Sequence, residues 1–425
     1  MKTLKIAVIG GGSVYTPELI GGFLVRREEL PLHTVCLMDI DPERLEVVGG
    51  LVKRMIRAAD AHIHVELTTN LQEALFEANF VISQIRVGGM TARMLDEKIP
   101  LKFGIVGQET TGPGGFAKAL RTIPVMLEIA RAMEKVCPEA FLINFTNPSG
   151  LVTEALLRYS RIRVIGLCNV PIGMKHMVAG WLNVDQAQVE LDYVGLNHLS
   201  WVRGVRIAGE DVFPRVLSAA IAQAKEGHFP FSPALLETLG MIPSYYLRYY
   251  YHHDEVLAEQ MKAGKTRAEE VLEIDQELLK LYADPRLSEK PALLKKRGGA
   301  HYSTAAVALI SALYHSKREV HIVNVRNEGA LPDLPRDVVV EVPAIVDGDG
   351  ARPLAVKPLP LHIRGLVQAV KAYELLTVEA AVTGDERAAL RALLAHPLVP
   401  SFSVAQGLWE SIKEANRQYL PQFFR

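Results

Sequence analysis

Cysteine is scarce in this chain. Three residues, Cys36, Cys137 and Cys168, stand in 425, too few for a disulfide framework and in keeping with a reducing compartment. Net charge is almost absent as well. Forty-seven basic and 48 acidic side chains leave a formal charge of -1, which removes any global electrostatic reason to bind nucleic acid or an anionic lipid surface. An anionic ligand must then be held by local groups. No apolar run approaches the ~20 residues needed to span a bilayer. Residues 1–5 pass directly into a strand-like run with no apolar signal-peptide core. Neither an internal repeat nor a low-complexity linker interrupts the sequence. These absences predict a cytoplasmic protein with no nucleic-acid partner and no membrane. What is present is ordinary for a globular protein: 49% hydrophobic and 22% charged residues, at a length beyond the usual single domain. Two intimately packed domains are the expectation.

Residues 4–9 form a short apolar run ending in Gly10-Gly11-Gly12, and Pro17 suits the first turn of a following helix. A second apolar run, 34–38, is closed by Asp39, and Asp41-Pro42 supplies an N-cap and first-turn pair for a helix over about 43–60. Runs at 63–67, 80–85, 141–145 and 163–167 continue the strand series, with helical stretches such as 119–136 between them and a Pro171-led helix after them. This alternation predicts an α/β fold, a Rossmann-type parallel sheet with helices on both faces, over residues 1–170. Beyond about residue 185 the texture changes. Strands are expected at 188–197 and 201–212 with a turn at Gly209-Glu210-Asp211, and later at 320–325 and 338–346 with a turn at 347–350. Helical patterns fall at 267–282, 302–315, 361–383 and 403–419. Residues 171–425 are therefore expected to form a second, α+β domain.

A strand, a glycine turn and a helix place backbone N–H groups and a helix N-terminus beside a pyrophosphate. Gly10 and Gly12 occupy the first two positions of G-x-G-x-x-G, while Tyr15 stands at the third, the position that serves close helix–strand packing. Asp39, at the end of the second strand, is the candidate for the adenosine ribose hydroxyls, and an acid there favours NAD over NADP. A glycine turn alone is a weak signal; strand, turn, helix, second strand and Asp together make a stronger one.

Polar clusters recur where strands should end, the crevice in which open α/β sheets bind ligands. They are Arg86-Val87-Gly88-Gly89, the loop from Gly107-Gln108-Glu109-Thr110 to Gly115, Asn144 to Gly150, Cys168-Asn169-Val170-Pro171, and Gly195-Leu196-Asn197-His198. Alone, Cys168 reads as a small buried hydrophobe and His198 as a satisfied core histidine. Together, a thiolate and an imidazole at two strand ends could hold a divalent metal. They match no closed four-ligand zinc pattern and leave positions open for substrate oxygens. Residues 243–251 concentrate five of the chain's 13 tyrosines. As a helix they put Tyr246, Tyr249 and Tyr250 on one face, ordinarily a packed aromatic stripe. Beside a metal and cations, such a tyrosine could have a depressed pKa and act as a base. Lys296-Arg297-Gly298-Gly299 precedes a helix near Tyr302 and reads equally as a solvated basic turn or a phosphate site.

Taken together, these clusters resemble glycoside hydrolase family 4, the NAD- and divalent-metal-dependent glycosidases, over essentially the whole chain. The motifs that carry the resemblance include Arg86 to Gly89, Gly107 to Thr110, Asn144 to Gly150, Cys168 to Pro171, Asn197-His198 and Tyr246-Leu247-Arg248-Tyr249-Tyr250. Cys168-Asn169-Val170-Pro171-Ile172 is most similar to the 6-phospho-β-glucosidase branch. The 6-phospho-α-glucoside branch carries an acid at the position of Asn169, and the unphosphorylated branches a histidine there. Asn169 thus argues for the β branch, and leaves the leaving-group proton to water or another side chain. The resemblance implies hydride removal from C3 of the sugar by NAD, C2 deprotonation by Tyr246, elimination of the aglycone from C1, water addition and return of the hydride. It implies Cys168 and His198 as ligands of Mn²⁺ or another divalent metal, and Gly10, Gly12, Ser13 and Asp39 as the NAD contacts. Arg86, Asn147, Asn169 and Arg297 are the implied substrate residues, with a phosphorylated disaccharide or glucoside as partner and a homo-dimer or tetramer as assembly. The rival expectations are a glycosidase of α-linked or unphosphorylated sugars, an NAD-dependent 2-hydroxy acid dehydrogenase, and a non-catalytic NAD-sensing regulator.

Overall fold

The computed structural model describes residues 4–298 and 302–424. Gly299, the end of the basic turn named above, lies outside the described residues. In chain order the first half comprises β1 (Leu4–Ile9), α1 (Thr16–Val25), β2 (Leu32–Met38), α2 (Pro42–Ala58), β3 (His64–Thr68), α3 (Leu71–Leu75), β4 (Phe80–Ser83), α4 (Gly89–Leu101), α5 (Gly112–Val136), β5 (Phe141–Asn144), α6 (Ser149–Tyr159), β6 (Arg163–Gly166) and α7 (Val170–Leu182). Strands β1 to β6 are parallel in the order β3-β2-β1-β4-β5-β6, the doubly wound arrangement in which ligands bind beyond the strands' C-terminal ends. Strands β4 and β5 are buried along their whole length and β1 nearly so. Helices cover both faces of such a sheet, which is why these strands read as continuous apolar runs and not as alternating ones. The Asp41 carboxylate caps α2 by accepting from Arg44 N at 3.0 Å, with Pro42 in the first turn, as the sequence predicts.

The second half continues with β7 (Val189–Leu196), β8 (Leu199–Ile207), β9 (Glu210–Asp211), α8 (Phe213–Lys225), α9 (Pro233–Leu239), β10 (Ile242–Pro243), α10 (Arg248–Tyr251), α11 (His253–Lys262), α12 (Arg267–Tyr282) and α13 (Tyr302–His315). It closes with β11 (Glu319–Arg326), β12 (Val339–Asp347), β13 (Gly350–Pro353), α14 (Leu361–Thr383), α15 (Glu386–Ala395) and α16 (Phe402–Ala415). Its strands do not all form a separate sheet. β11, β12 and β13 extend the first sheet antiparallel beyond β6, through the pair Asn324↔Gly166, giving nine strands among the described residues. The hairpin β7–β8, with β9 and β10 at the edges of β8, forms the second sheet, and β12 packs against β7.

Three local expectations shift. The strand expected over 201–212 is divided, because Ala208 (φ 50°) and Gly209 (φ 83°) turn the chain between β8 and β9. The expected tyrosine helix is one 3-10 turn, Tyr245–Leu247, running into the four-residue α10. The loop 107–115 is half helix: α5 starts at Gly112 instead of near 119. Gly114 permits this start, since a Cβ there would lie 2.3 Å from Gln108 O and 2.5 Å from Asp96 O. A close backbone approach, and not a flexible loop, is what this glycine supplies.

Helices α4 and α5 frame one side of the site and are locked together by a buried ion pair. Arg121 on α5 donates to Asp96 on α4 through both terminal nitrogens, at 2.7 and 2.5 Å, and to Asn416 Oδ1 at 3.2 Å. Both charged side chains are fully buried. Burial pushes the Asp96 carboxyl up to about 6, against the pull of Arg121. Arg121→Ala would strand that carboxylate in the interior, and a loss of about 3–5 kcal/mol in denaturant unfolding is expected. A change below about 1 kcal/mol would mean the pair does not lock the helices.

Candidate active site

The glycine turn after β1 is built as a cradle. Gly10 N and Gly11 N donate to Met38 O at 2.9 and 2.8 Å, which ties the turn to the end of β2. Gly10 sits at φ 91°, in the left-handed region. Gly12 N donates to Asp39 Oδ2 at 2.8 Å, and a Cβ on Gly12 would lie 2.9 Å from that same oxygen. Asp41 N holds the other carboxylate oxygen at 3.1 Å. The Asp39 side chain is thus fixed beside the turn, with Ser13 half-buried at the N-terminal approach to α1. Tyr15 fills the place of the third glycine. Its ring packs under the Arg297 guanidinium, 4.9 Å from the centroid, and burial pushes its phenol up to about 12. A dinucleotide pyrophosphate fits this turn, and its ribose would meet an ordered carboxylate.

Beyond β6, the chain reaches Cys168 at the N-terminus of α7, where Val170 N donates to the sulfur at 3.5 Å. His198 is the second residue of the Asn197-His198 turn joining β7 to β8, held at φ 63°. Its Nε2 lies 3.5 Å from Cys168 Sγ. The Thr110 hydroxyl donates to Gln108 Oε1 at 2.9 Å, so its oxygen is free to accept from His198 Nδ1, 3.0 Å away. That arrangement places the proton on Nδ1 and turns the Nε2 lone pair toward the sulfur, the tautomer a metal ligand requires. The Tyr246 ring stacks on His198 with centroids 3.6 Å apart and planes within 4°. Tyr249 supports Tyr246 from a further 6.1 Å.

The electrostatics of this group come chiefly from burial. Burial, aided by the Glu341 charge, pushes the Cys168 thiol up to about 12. Burial and then Lys118 push the His198 imidazole down to about 3. Burial and then Cys168 raise Tyr246 well above the ordinary phenol value. The environment of the chain alone therefore works against the depressed tyrosine pKa expected from sequence. The neutral imidazole and the thiol fit a divalent cation, which would itself convert the thiol to thiolate. Two protein donors leave the rest of its coordination to oxygen ligands.

Beside Tyr246 lies a charge cluster that sequence reading did not assemble. Glu109 accepts from Arg86, from Lys118 at 2.7 Å, and pairs with Arg93 at 3.3 Å. Burial would raise Glu109, but Arg86, Arg93 and Lys118 hold it well below the usual carboxylate range. Burial and then Arg86 push Lys118 down to about 7. Arg93 also donates to Glu97 at 2.9 Å, one turn along α4. Of this group, sequence reading named Arg86 as a substrate residue and Glu109 only as part of a polar loop motif. The i,i+4 pair Arg93–Glu97 on a helix was the signal available for the rest.

The other expected substrate residues are distributed around this core. Arg297 donates to Asp275 Oδ1 at 2.9 Å and lies near enough to Arg86 to disfavour its charge. Both arginines thus approach a common region, each already sharing a carboxylate. Asn147 Nδ2 donates to Phe145 O at 3.3 Å, while its buried Oδ1 has no partner among the described residues. Asn169 is the N-cap residue of α7, with Oδ1 3.9 Å from Cys168 Sγ. The structure brings Cys168, His198, Tyr246 and Asn169 together directly. It sets the Gly10–Asp39 turn at the C-terminal ends of neighbouring strands of the same sheet.

Comparison with known proteins covers both halves of the chain. Residues 5–184 match the family 4 glycosyl hydrolase pattern and residues 193–399 match that of the family 4 glycosyl hydrolase C-terminal domain. The chain is 48% identical over 435 residues to a probable 6-phospho-beta-glucosidase of Bacillus subtilis, covering 100% of this chain and 98% of that protein. It is 40% identical to a 6-phospho-beta-glucosidase of Escherichia coli, covering 99% and 97%. Its fold is similar to that of the 6-phospho-beta glucosidase from Thermotoga maritima, solved with manganese, NAD+ and glucose-6-phosphate: TM-score 0.92, 39% identity, covering 98% of this chain and 99% of that one. Dehydrogenases share only the fold, at a TM-score of 0.55 and 14–17% identity. A likeness confined to the glycine turn would leave the second half unexplained. Because it runs through Cys168, His198 and Tyr246 to the far end of the antiparallel extension, this chain belongs to family 4 of the glycosyl hydrolases.

Proposed function

We propose that this protein hydrolyses 6-phospho-β-glucosides, releasing the aglycone and glucose 6-phosphate. The observation that carries the reading is the Cys168–His198 pair, 3.5 Å apart, with Tyr246 stacked on its imidazole, where the β7–β8 turn meets the end of β6 in a sheet whose first turn fits NAD. Gly10, Gly12, Ser13 and Asp39 would hold NAD, and Cys168 and His198 a Mn²⁺ ion. When bound, NAD supplies reversible hydride transfer at C3 of the sugar and the cation polarises the neighbouring oxygens, chemistry distinct from two-carboxylate glycoside hydrolysis.

The chain's own residues then account for the remaining work. Once C3 is a ketone, the hydrogen on C2 is acidic, and Tyr246 takes it as a general base. The stack on His198 fixes the plane of the phenol ring beside the cation site. Loss of the C2 proton drives elimination of the aglycone from C1; water adds back at C1, and C2 is reprotonated from the same side chain. Arg86, Arg297 and Asn147 hold the 6-phosphate, and Asn147 Oδ1, without a partner among the described residues, accepts from a sugar hydroxyl or a phosphate-bound water. Asn169 lines the reacting face beside Cys168. The absence of a carboxylate at Asn169 supports the β-linked substrate. A cytoplasmic location and a homo-dimeric or tetrameric assembly belong to the same reading. The first is supported by three buried, unpaired cysteines.

The test compares p-nitrophenyl 6-phospho-β-glucoside with its unphosphorylated parent, with and without NAD and Mn²⁺. Turnover of the phosphorylated substrate is expected only with both additions, with no net accumulation of NADH. Equal turnover of the two glucosides would remove the phosphate role. Stoichiometric NADH would instead favour a dehydrogenase.

A further inference from the structure

A buried carboxylate behind the Cys168–His198 pair has no part in the roles above. Glu341, on β12, is fully buried and makes no ion pair among the described residues. It accepts three hydrogen bonds: from Tyr193 OH at 2.6 Å, from Asn197 Nδ2 at 2.9 Å and from Asn324 Nδ2 at 3.0 Å. Tyr193 and Asn197 belong to or adjoin β7, and Asn324 lies on β11, so the carboxylate pins three strands at one point. The Asn197 side chain also lies close enough to Cys168 to favour its thiolate. A primary amide carries two N–H hydrogens, so the bond to Glu341 leaves the second one to offer elsewhere.

The placement of Asn197 gives this arrangement its consequence. Asn197 is the first residue of the two-residue turn between β7 and β8, and His198, at φ 63°, is the second. A non-glycine residue in that conformation is retained only where its surroundings over-determine it. The same carboxylate therefore fixes the first residue of the turn that presents His198. A buried carboxylate without a cation is costly in isolation.

We propose that Glu341 and Asn197 are positioning residues of the divalent-cation site, Glu341 anchoring the Asn197 amide beside Cys168 and so setting the turn that carries His198. The proposal rests on Cys168 and His198 being the metal ligands. Groups that hold ligands in place typically contribute 10–100-fold to metal affinity without touching the ion.

The experiment measures Mn²⁺ dissociation constants of the full chain from the electron paramagnetic resonance signal of free Mn²⁺, with NAD affinity determined in parallel. Glu341→Gln and Asn197→Ala are each expected to weaken Mn²⁺ binding by about 10–100-fold and to leave NAD affinity unchanged. The double variant should be no weaker than the weaker single one, because both changes break one relay. Thermal unfolding without metal reports whether each variant is folded; should Glu341→Gln fail to fold, Asn197→Ala carries the test. Wild-type Mn²⁺ affinity in folded Asn197→Ala, or a parallel loss of Mn²⁺ and NAD binding, would overturn the proposal. A wild-type protein that binds no Mn²⁺ would overturn the ligand reading beneath it.

Discussion

Tyr246→Phe is expected to lower kcat by roughly 10²–10⁴-fold, the range a positioned general base contributes, with Mn²⁺ and NAD affinities retained. The substitution is well matched to the question, since phenylalanine keeps the ring that stacks 3.6 Å from His198 and packs on Tyr249. Only the hydroxyl is removed. Burial holds Tyr246 well above the ordinary phenol value, so the free protein presents a phenol and not a phenolate. A base at this position needs the cation site beside it to be filled before it can lose its proton. That dependence gives a readout which a packing role would not produce. In deuterated water the wild-type protein should exchange the C2 hydrogen of a 6-phosphoglucoside during turnover, and Tyr246→Phe should not. If the variant keeps more than about a tenth of wild-type kcat, Tyr246 contributes less than ~1.4 kcal/mol to the barrier and is not the base.

The parts of this site that could be read from sequence are those with a local pattern. The Gly10–Gly12 turn, Asp39 and the Asp41-Pro42 cap follow from rules that act within a few residues, and the structure builds them with the Gly12–Asp39 and Arg44–Asp41 hydrogen bonds in place. Strands β1, β4, β5 and β6 were legible because a parallel sheet covered on both faces demands continuous apolar runs, whereas β3, at the sheet's edge, alternates apolar and polar residues. The antiparallel extension was not. β11 and β12 have the same local texture in a separate sheet as in this one, and only the long-range pairing of Asn324 with Gly166 decides between them. Cys168 and His198 are 30 positions apart, and their pairing in sequence rested on family resemblance more than on spacing. Glu341 is the extreme case: 144 positions from Asn197, it sits in a valine-rich strand where an isolated Glu has no local signature. Thr110 was visible as part of a polar loop, but its effect on the His198 tautomer depends on a hydrogen bond across 88 positions.

Metal binding should be linked to one proton, and Cys168→Ser should remove both the binding and the linkage. Burial holds the Cys168 thiol at about 12 in the metal-free protein, far above neutral pH, so the sulfur enters the metal complex by losing a proton to solvent. His198, held at about 3, is already neutral and releases none. Lowering the pH therefore opposes binding, and between pH 6 and 8 the apparent Mn²⁺ affinity should fall about tenfold for each unit of acidification. The sign is set by the cysteine alone: protons compete with the cation for the sulfur and not for the imidazole. In Cys168→Ser the competing thiol is gone, and the hydroxyl is a far weaker anionic donor. Affinity should drop by more than the roughly 100-fold upper bound for groups that only position ligands, and the remaining binding should be flat with pH. Turnover of a 6-phospho-β-glucoside should fall with it, at saturating NAD. A wild-type slope near zero would mean that the sulfur binds as a thiol or not at all. A slope near two would require a second group to deprotonate, for which Lys118, pushed down to about 7, is the nearest candidate. The slope thus reports directly which protein atoms hold the ion, and it is measurable without any turnover.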